Sequence, residues 1–195
     1  KSVDTQAQPA EEKSETMIKP IISYDIDGKE KQEVVKGENY YHNIRVLLPE
    51  NIDNYDFVSI KDVLDKRLEI KNTKVLVRDK GDVDSDKEGV QEKTLKTKVD
   101  KQKVALELNA REIAHFAGQE LNLQIEAQLK KDEQMDEDIN QKATIVVNDK
   151  LTKETNTVVI TPVEPNKEEA HTMKRIKLKL HSHIKMNVWK KIKIV

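Results

Sequence analysis

The stretch LNLQIEAQL, residues 121–129, alternates apolar and polar side chains without interruption. Successive side chains of a β-strand point to opposite faces, so this period of two predicts a strand with one face in a core and the other in solvent. The predicted inner face consists of Leu121, Leu123, Ile125, Ala127 and Leu129.

The same period recurs in short runs along the chain: YYHNIRVLL (40–48), VSIKDVL (58–64), TKVLV (73–77), KVALEL (103–108), KATIVVN (142–148) and TNTVVITP (155–162). AREIAHFAG (110–118) instead predicts a short helical turn closed by Gly118. Polar connections separate these runs. The sequence therefore predicts an all-β fold, an immunoglobulin-like antiparallel β-sandwich of about 8–9 strands with one short helical turn.

Composition divides the 195 residues into three segments. Residues 1–16 are polar and aperiodic, which predicts a disordered linker. The strand-like runs predict a sandwich domain over 17–165, with the prolines of TPVEP at its exit. Residues 166–195 are expected to form a charged linker and basic tail outside the core. This tail is either an amphipathic segment that seeks anionic surfaces or foreign sequence from a truncated or shifted reading frame, and the abrupt change of composition after Ala170 favours the second interpretation.

Charge and composition argue against several classes of function. Residues 171–195 contain eight Lys and Arg side chains and no acid, so the rest of the chain is net acidic although the total charge is only -1. An acidic body disfavours nucleic-acid binding. No apolar run reaches the roughly 18 residues of a membrane span. The absence of cysteine removes disulfide and thiol chemistry.

Two segments contain potential metal ligands. DKGDVDSDKEG (79–89) has acids at alternate positions, but lysines stand where a calcium-binding helix–loop–helix needs Gly and Glu, so a solvated hairpin tip is favoured over a weak calcium site. HSH (181–183) offers two imidazoles and no further ligands nearby. His42 and His115 lie among apolar neighbours and are expected to be packed. We therefore expect no metal and no cofactor.

An acid interrupts the inner face of VSIKDVLDKRL, residues 58–68. In a strand, Asp62 shares its face with Val58, Ile60 and Leu64, so the pattern that buries these three residues also buries the carboxyl group. A buried carboxylate is costly unless it has a partner or a task. We expect Asp62 to be buried beside groups that bond to it.

The segment ENYYHNIRVLLPENIDNYDFVSIKDVLDKRLEI (38–70) resembles the isopeptide-forming domains of Gram-positive fimbrial subunits and collagen-adhesin-like surface proteins. In that family, an aromatic-x-aliphatic strand, a proline and a spacer with tyrosine precede a Val/Ile-x-Asp-x-Leu strand. Further segments resemble the family in the same order: IKPIISYDIDGK (18–29), FAGQELNLQIEAQLK (116–130), INQKATIVVND (139–149) and TNTVVITPVEP (155–165). The resemblance spans residues 18–165.

The resemblance implies a specific chemistry. In that family a strand Lys attacks the side chain of a strand Asn, and an internal amide bond forms with loss of ammonia. Burial keeps the amine neutral and the neighbouring acid protonated, so that the acid polarises the amide and shuttles protons. The resemblance places Asp62 at the position of this acid, Tyr24 at the Lys position and Gln141 at the Asn position.

Both reaction partners are thus replaced, which predicts a degenerate site without a cross-link. In this interpretation Asp62 is a polar relic that is hydrogen-bonded to Tyr24 and Gln141. The fallback pair for a cross-link is Lys19 and Asn140. Parity places both side chains on the opposite faces of their strands, so both strands would need a bulge.

The function implied is that of a structural stalk or spacer, or of an adhesive module, in an extracellular protein of the cell wall or cell surface, and not of a turnover enzyme. The expected partners are neighbouring domains of the same surface protein. The alternative is a ligand-binding adhesin domain that recognises a host or matrix protein by a sheet edge or by the loop at 79–93. We expect no nucleic-acid partner and no membrane span in this chain.

Overall fold

The computed structural model describes residues 17–79, 91–132, 134, 136–165 and 167–192. The linker predicted at 1–16 lies outside these residues. So does the candidate calcium-binding loop, apart from its first residue.

The described part of the chain contains thirteen strands and two helices. The strands are β1 (Ile21–Ile26), β2 (Lys31–Val35), β3 (Tyr40–Leu47), β4 (Phe57–Val63), β5 (Leu68–Asp79), β6 (Gln91–Lys93), β7 (Thr97–Asp100), β8 (Lys103–Asn109), β9 (Gln119–Leu129), β10 (Ile139–Gln141), β11 (Ala143–Val147), β12 (Leu151–Glu154) and β13 (Val158–Val163). The helices are α1 (Ala110–His115) and α2 (Lys167–Ile192).

The strands form three sheets, with the orders β1-β3-β9-β5-β6, β10-β13-β2 and β12-β11-β4-β8-β7. Pairing is antiparallel throughout the described strands except between β13 and β2, which run parallel. The inner faces of the sheets enclose one apolar core. The all-β sandwich predicted from the alternating runs is therefore confirmed.

The residues that form the core are those that the period-two alternation predicts to be buried. The five apolar residues of β9 are fully buried, and so are Val58 and Ile60 of β4. Val104, Leu106 and Leu108 of the neighbouring strand β8 are buried on the same face of that sheet, because β4 and β8 pair in register. Side chains of small branched residues fill this core.

The structure has more strands than the eight or nine expected. Four of them, β2, β6, β7 and β12, are short strands at the edges of their sheets. An edge strand that exposes most of its side chains needs no apolar alternation, because only its backbone pairs with the sheet. The apolar pattern therefore does not reveal such strands.

The predicted helical turn is α1, which begins with a capping box. The Asn109 side chain accepts a hydrogen bond from the Glu112 backbone N–H (2.9 Å), and the Glu112 side chain accepts one from the Asn109 backbone N–H (3.2 Å). Gly118 follows with φ +72°, a left-handed conformation that glycine adopts without strain.

The basic tail forms α2, a helix of 26 residues that the expected fold class did not include. Lys, Leu and Met are good helix formers, and their intrinsic preference favours a helix here. The described side chains from Met173 to Asn187 are all exposed.

The helix also separates the two histidines of HSH. Residues two apart on a helix project about 200° apart around its axis, so His181 and His183 share no face. No group of three or more metal-ligating side chains occurs in the described residues. Among the described helices, none has the length and apolar composition to cross a membrane.

We expect deletion of residues 171–195 to leave the thermal midpoint of the sandwich nearly unchanged, because the exposed side chains of α2 bury little apolar surface. Scanning calorimetry of the full chain and of the shortened chain tests this. A fall of many degrees would show that the domain does not end near residue 165.

Candidate functional site

The carboxyl group of Asp62 lies inside the sandwich. Its strand, β4, is flanked by β11 and β8, and Asp62 pairs in register with Ala143 and Val104. The residue is 1% exposed. The strand parity that buries Val58 and Ile60 therefore buries the acid as well.

Two side chains from other sheets donate hydrogen bonds to this carboxyl group. The Tyr24 hydroxyl of β1 donates to Oδ2. The Gln141 Nε2 of β10 donates to Oδ1 over 3.2 Å. Tyr24 and Gln141 are themselves buried. The structure thus brings the three positions Asp62, Tyr24 and Gln141 together, although each belongs to a different sheet.

The fallback pair lies elsewhere. Lys19 precedes β1 and is exposed, and Asn140 is exposed on the face of β10 opposite to Gln141. Among the described contacts, neither side chain bonds to Asp62. Asn140 thus lies on the face that strand parity gives it, whereas Lys19 lies outside β1, where strand parity does not apply.

Burial controls the ionisation of this cluster. It raises the pKa of Asp62 to about 6, although the hydrogen bonds from Tyr24 and Gln141 act in the opposite direction. Burial lowers the pKa of His42 to about 3. Burial and the nearby Asp62 charge raise the pKa of Tyr24 well above its usual value. At neutral pH, Asp62 is therefore a carboxylate, whereas His42 and Tyr24 are uncharged.

The carboxylate fixes the direction of a chain of hydrogen bonds. Because the Tyr24 hydroxyl donates to Asp62, its oxygen accepts from His42 Nδ1 (2.7 Å). The neutral His42 ring then carries its proton on Nδ1, so Nε2 accepts from the Tyr40 hydroxyl (2.9 Å). The polar side-chain atoms of Tyr40, His42, Tyr24 and Asp62 are thereby all paired.

The Gln141 amide is fully paired too. Its Nε2 donates to the carbonyl oxygen of Val63 (3.1 Å) as well as to Asp62, and its Oε1 accepts from the Asp65 backbone N–H (2.9 Å). This arrangement fixes which end of the amide faces the acid.

Asn156 holds the backbone of Tyr24 in place. Its Oδ1 accepts from the Tyr24 N–H and its Nδ2 donates to the Tyr24 carbonyl oxygen, both over 2.9 Å. β1 is an edge strand, so these two backbone groups have no neighbouring strand to pair with. The Asn156 side chain substitutes for that strand at this residue.

Sequence reasoning missed three members of the site, which are Tyr40, His42 and Asn156. His42 was expected to be merely packed, although a buried imidazole needs hydrogen-bond partners, and Tyr40 on the same face was the available signal. Asn156 lies outside the strands and gave no signal. The expectation for His115 was wrong, because it lies exposed at the end of α1.

Comparison with solved structures identifies the class of protein that this sandwich resembles, which is that of Gram-positive pilin subunits and adhesins. BcpA, the major pilin subunit of Bacillus cereus, is 27% identical with a TM-score of 0.61, and the match covers 74% of this chain and 41% of the pilin. The chain therefore spans about two-fifths of the length of that protein. The resemblance to pilin-type surface domains that the sequence indicates is confirmed.

More distant structures share the fold alone. The N-terminal domain of the Streptococcus gordonii adhesin Sgo0707 is 13% identical with a TM-score of 0.57, and the match covers 73% of this chain and 32% of that chain. The full-length major pilin SpaD of Corynebacterium diphtheriae is 18% identical with a TM-score of 0.51, covering 72% and 34%. No protein-family model and no curated protein matches the sequence.

We expect the stability contributed by Asp62 to fall as pH rises. The native state keeps the proton up to about pH 6, whereas the unfolded chain releases it near 3.8, so the native state binds more protons between these values. Relative to an Asp62→Asn variant, wild-type protein should lose about 2 kcal/mol of unfolding free energy between pH 4 and pH 6.

Urea unfolding of both proteins across this range measures the difference. The subtraction cancels His42, whose lowered pKa makes stability fall in the opposite direction, as pH drops below 6.5. A difference that stays flat would show that the carboxyl group is not desolvated.

We expect Tyr24→Phe to lower the free energy of unfolding by about 1–3 kcal/mol, because it leaves Asp62 Oδ2 and the His42 Nδ1–H each without a partner. Tyr41→Phe is the matched control, since Tyr41 lies on the exposed face of β3 and should change stability by less than about 0.5 kcal/mol. Equal effects of the two substitutions in denaturant titrations would contradict the network.

Proposed function

We propose that this chain is a stalk or spacer module of a Gram-positive cell-surface fimbrial or collagen-adhesin-like protein, and that its isopeptide site is degenerate. The observation that carries the proposal is the buried contact of Asp62 with Tyr24 and Gln141 in a sandwich similar to a major pilin subunit. The module acts outside the cell, at the wall or surface. Its partners are neighbouring domains of the same protein.

The side chains at the site explain why no bond is expected. Tyr24 supplies a phenol where an amine would be needed. An ester formed from Tyr24 and the Gln141 amide would be a reactive aryl ester, which the released ammonia would cleave again. The hydroxyl group is therefore expected to remain a hydrogen-bond donor to Asp62. Even a cross-linking relative reacts once, on itself, so neither form is a turnover enzyme.

A second candidate function is recognition of a host or matrix protein by a sheet edge. Ile18 and Ile21 are exposed beside the open edge of β1, and an extended partner segment can add to such an edge. Asn156 already occupies the backbone groups of Tyr24 on that edge. This obstruction makes the stalk role the stronger proposal.

We expect the purified protein to have the mass of its sequence, because the side chains that bond to Asp62 within the described residues are those of Tyr24 and Gln141, and neither carries an amine. Peptide mapping should recover residues 18–29 and 139–149 as separate peptides. A mass lower by one ammonia, with these two peptides joined, would show that Tyr24 and Gln141 are not the positions that correspond to the reaction pair.

The double substitution Tyr24→Lys with Gln141→Asn tests whether the site is a degenerate form of a reactive one. An extended Lys places its Nζ about as far from Cα as Tyr places its hydroxyl oxygen, so the amine should meet Asp62 and attack the side-chain carbonyl carbon of the new Asn. The new amide bond then forms as the NH₂ group of that Asn leaves as ammonia. Adding Asp62→Ala should block this loss. If the double variant folds, as judged by circular dichroism, and keeps its full mass, the proposal of a degenerate isopeptide site is wrong.

A further inference from the structure

A polar groove lies on the sheet with the order β1-β3-β9-β5-β6, on its outer face, away from the core. The central strand β9 supplies its floor, including Asn122 and Gln124. Asn43 and Arg45 of β3 form one wall, and β5 forms the other. The groove has a volume of about 250 Å³. Asn43 and Asn122 are only 5% exposed although they lie on the outward face.

An acid at the rim fixes how the amides of this groove are oriented. Asp25 Oδ1 can only accept, so it takes a hydrogen bond from Asn43 Nδ2 (2.8 Å). The Asn43 oxygen therefore points along the floor, where it accepts from Asn122 Nδ2 and Gln124 Nε2, both at 3.0 Å. Within the described residues, the side-chain oxygens of Asn122 and Gln124 have no hydrogen-bond donor. Asn122 Oδ1 is buried and unpaired among the described residues.

The two walls differ in charge. Arg45 is neutralised by Asp25 and Glu120. On β5, Lys74 and Arg78 flank Leu76 on the outer face, and Glu120 lies opposite Arg78 in register. Neither cationic side chain has a hydrogen bond or ion pair within the described part of the chain. The groove thus combines unused acceptors in its floor with unused positive charge on one wall.

We infer that this groove binds an acidic sugar unit of a glycan. Its hydroxyl groups donate to Gln124 Oε1 and to Asn122 Oδ1, once the flexible wall side chains move to admit them. Its carboxylate pairs with Arg78, and Leu76 contacts the apolar face of the ring. The volume lies below the roughly 300–1,000 Å³ of sites for drug-sized ligands, so it suits a single ring. This site is independent of the stalk role proposed above.

An extended peptide fits the groove less well. A peptide in strand form presents alternating N–H and C=O groups, which the backbone of a sheet edge matches. The groove instead offers side-chain acceptors and cations over a short distance. These groups complement a compact ligand that carries several donors and one negative charge.

The test is an NMR titration of the full chain with D-glucuronate, with D-glucose as the neutral probe. We expect saturable shifts in the side-chain NH₂ signals of Asn43, Asn122 and Gln124 with glucuronate, and much weaker shifts with glucose. Arg78→Gln should weaken glucuronate binding about tenfold, since a charged hydrogen bond is lost. Arg111→Gln, an exposed substitution on α1, is the matched control and should have no effect.

Four results would overturn the inference. They are the absence of saturable shifts, equal responses to glucose and glucuronate, equal effects of the two arginine variants, and tighter binding of tetraglutamate at the same amides. The last result would identify the groove as a docking site for acidic polypeptide.

Discussion

The burial of one carboxyl group between three sheets is the constraint on which this sandwich depends. Asp62, Tyr24 and Gln141 come from different sheets, and they meet only when the sheets dock in one relative position. A shift of β4 by one residue would turn Asp62 outward and break the pairing. Any other docking would leave a buried charge unpaired, at a cost of several kcal/mol. The network therefore restricts how the sheets pack more than it adds to stability.

The same rule of hydrogen-bond direction produces a closed network inside the sandwich and an open one outside. Asp62 in the core and Asp25 at the rim are acceptors only, so each fixes the orientation of the neutral groups that follow. Inside, the chain ends at Tyr40, whose hydroxyl is a donor and completes it. Outside, the chain ends at Asn122 and Gln124, whose side-chain oxygens have no partner among the residues that the structure describes. The last side chain therefore distinguishes the two networks: a hydroxyl donor completes the inner one, whereas the outer one ends in amide oxygens that can still accept hydrogen bonds.

Period-two alternation was enough to predict the sandwich, because strands with one buried face, such as β9, must alternate. It was also enough to place Asp62 in the core. It could not reveal the edge strands β6 and β12, since a strand without a buried face has no apolar pattern. The resemblance in sequence supplied Tyr24 and Gln141, whereas parity alone does not show which strands of different sheets meet. His42 and Asn156 depend on contacts between distant segments, which no local pattern encodes.

The hydrogen bonds around Asp62 and a covalent bond at the same place would respond differently to force. β1 is an edge strand that is held by its ladder to β3, by the Asn156 side chain and by the Tyr24 hydroxyl. Each of these bonds yields separately, and water can replace each partner as the strand leaves the sheet. A covalent tie between β1 and β10 would instead limit how far the chain extends, whatever the state of the ladders. A module without that tie must resist tension through its ladders and its apolar core alone.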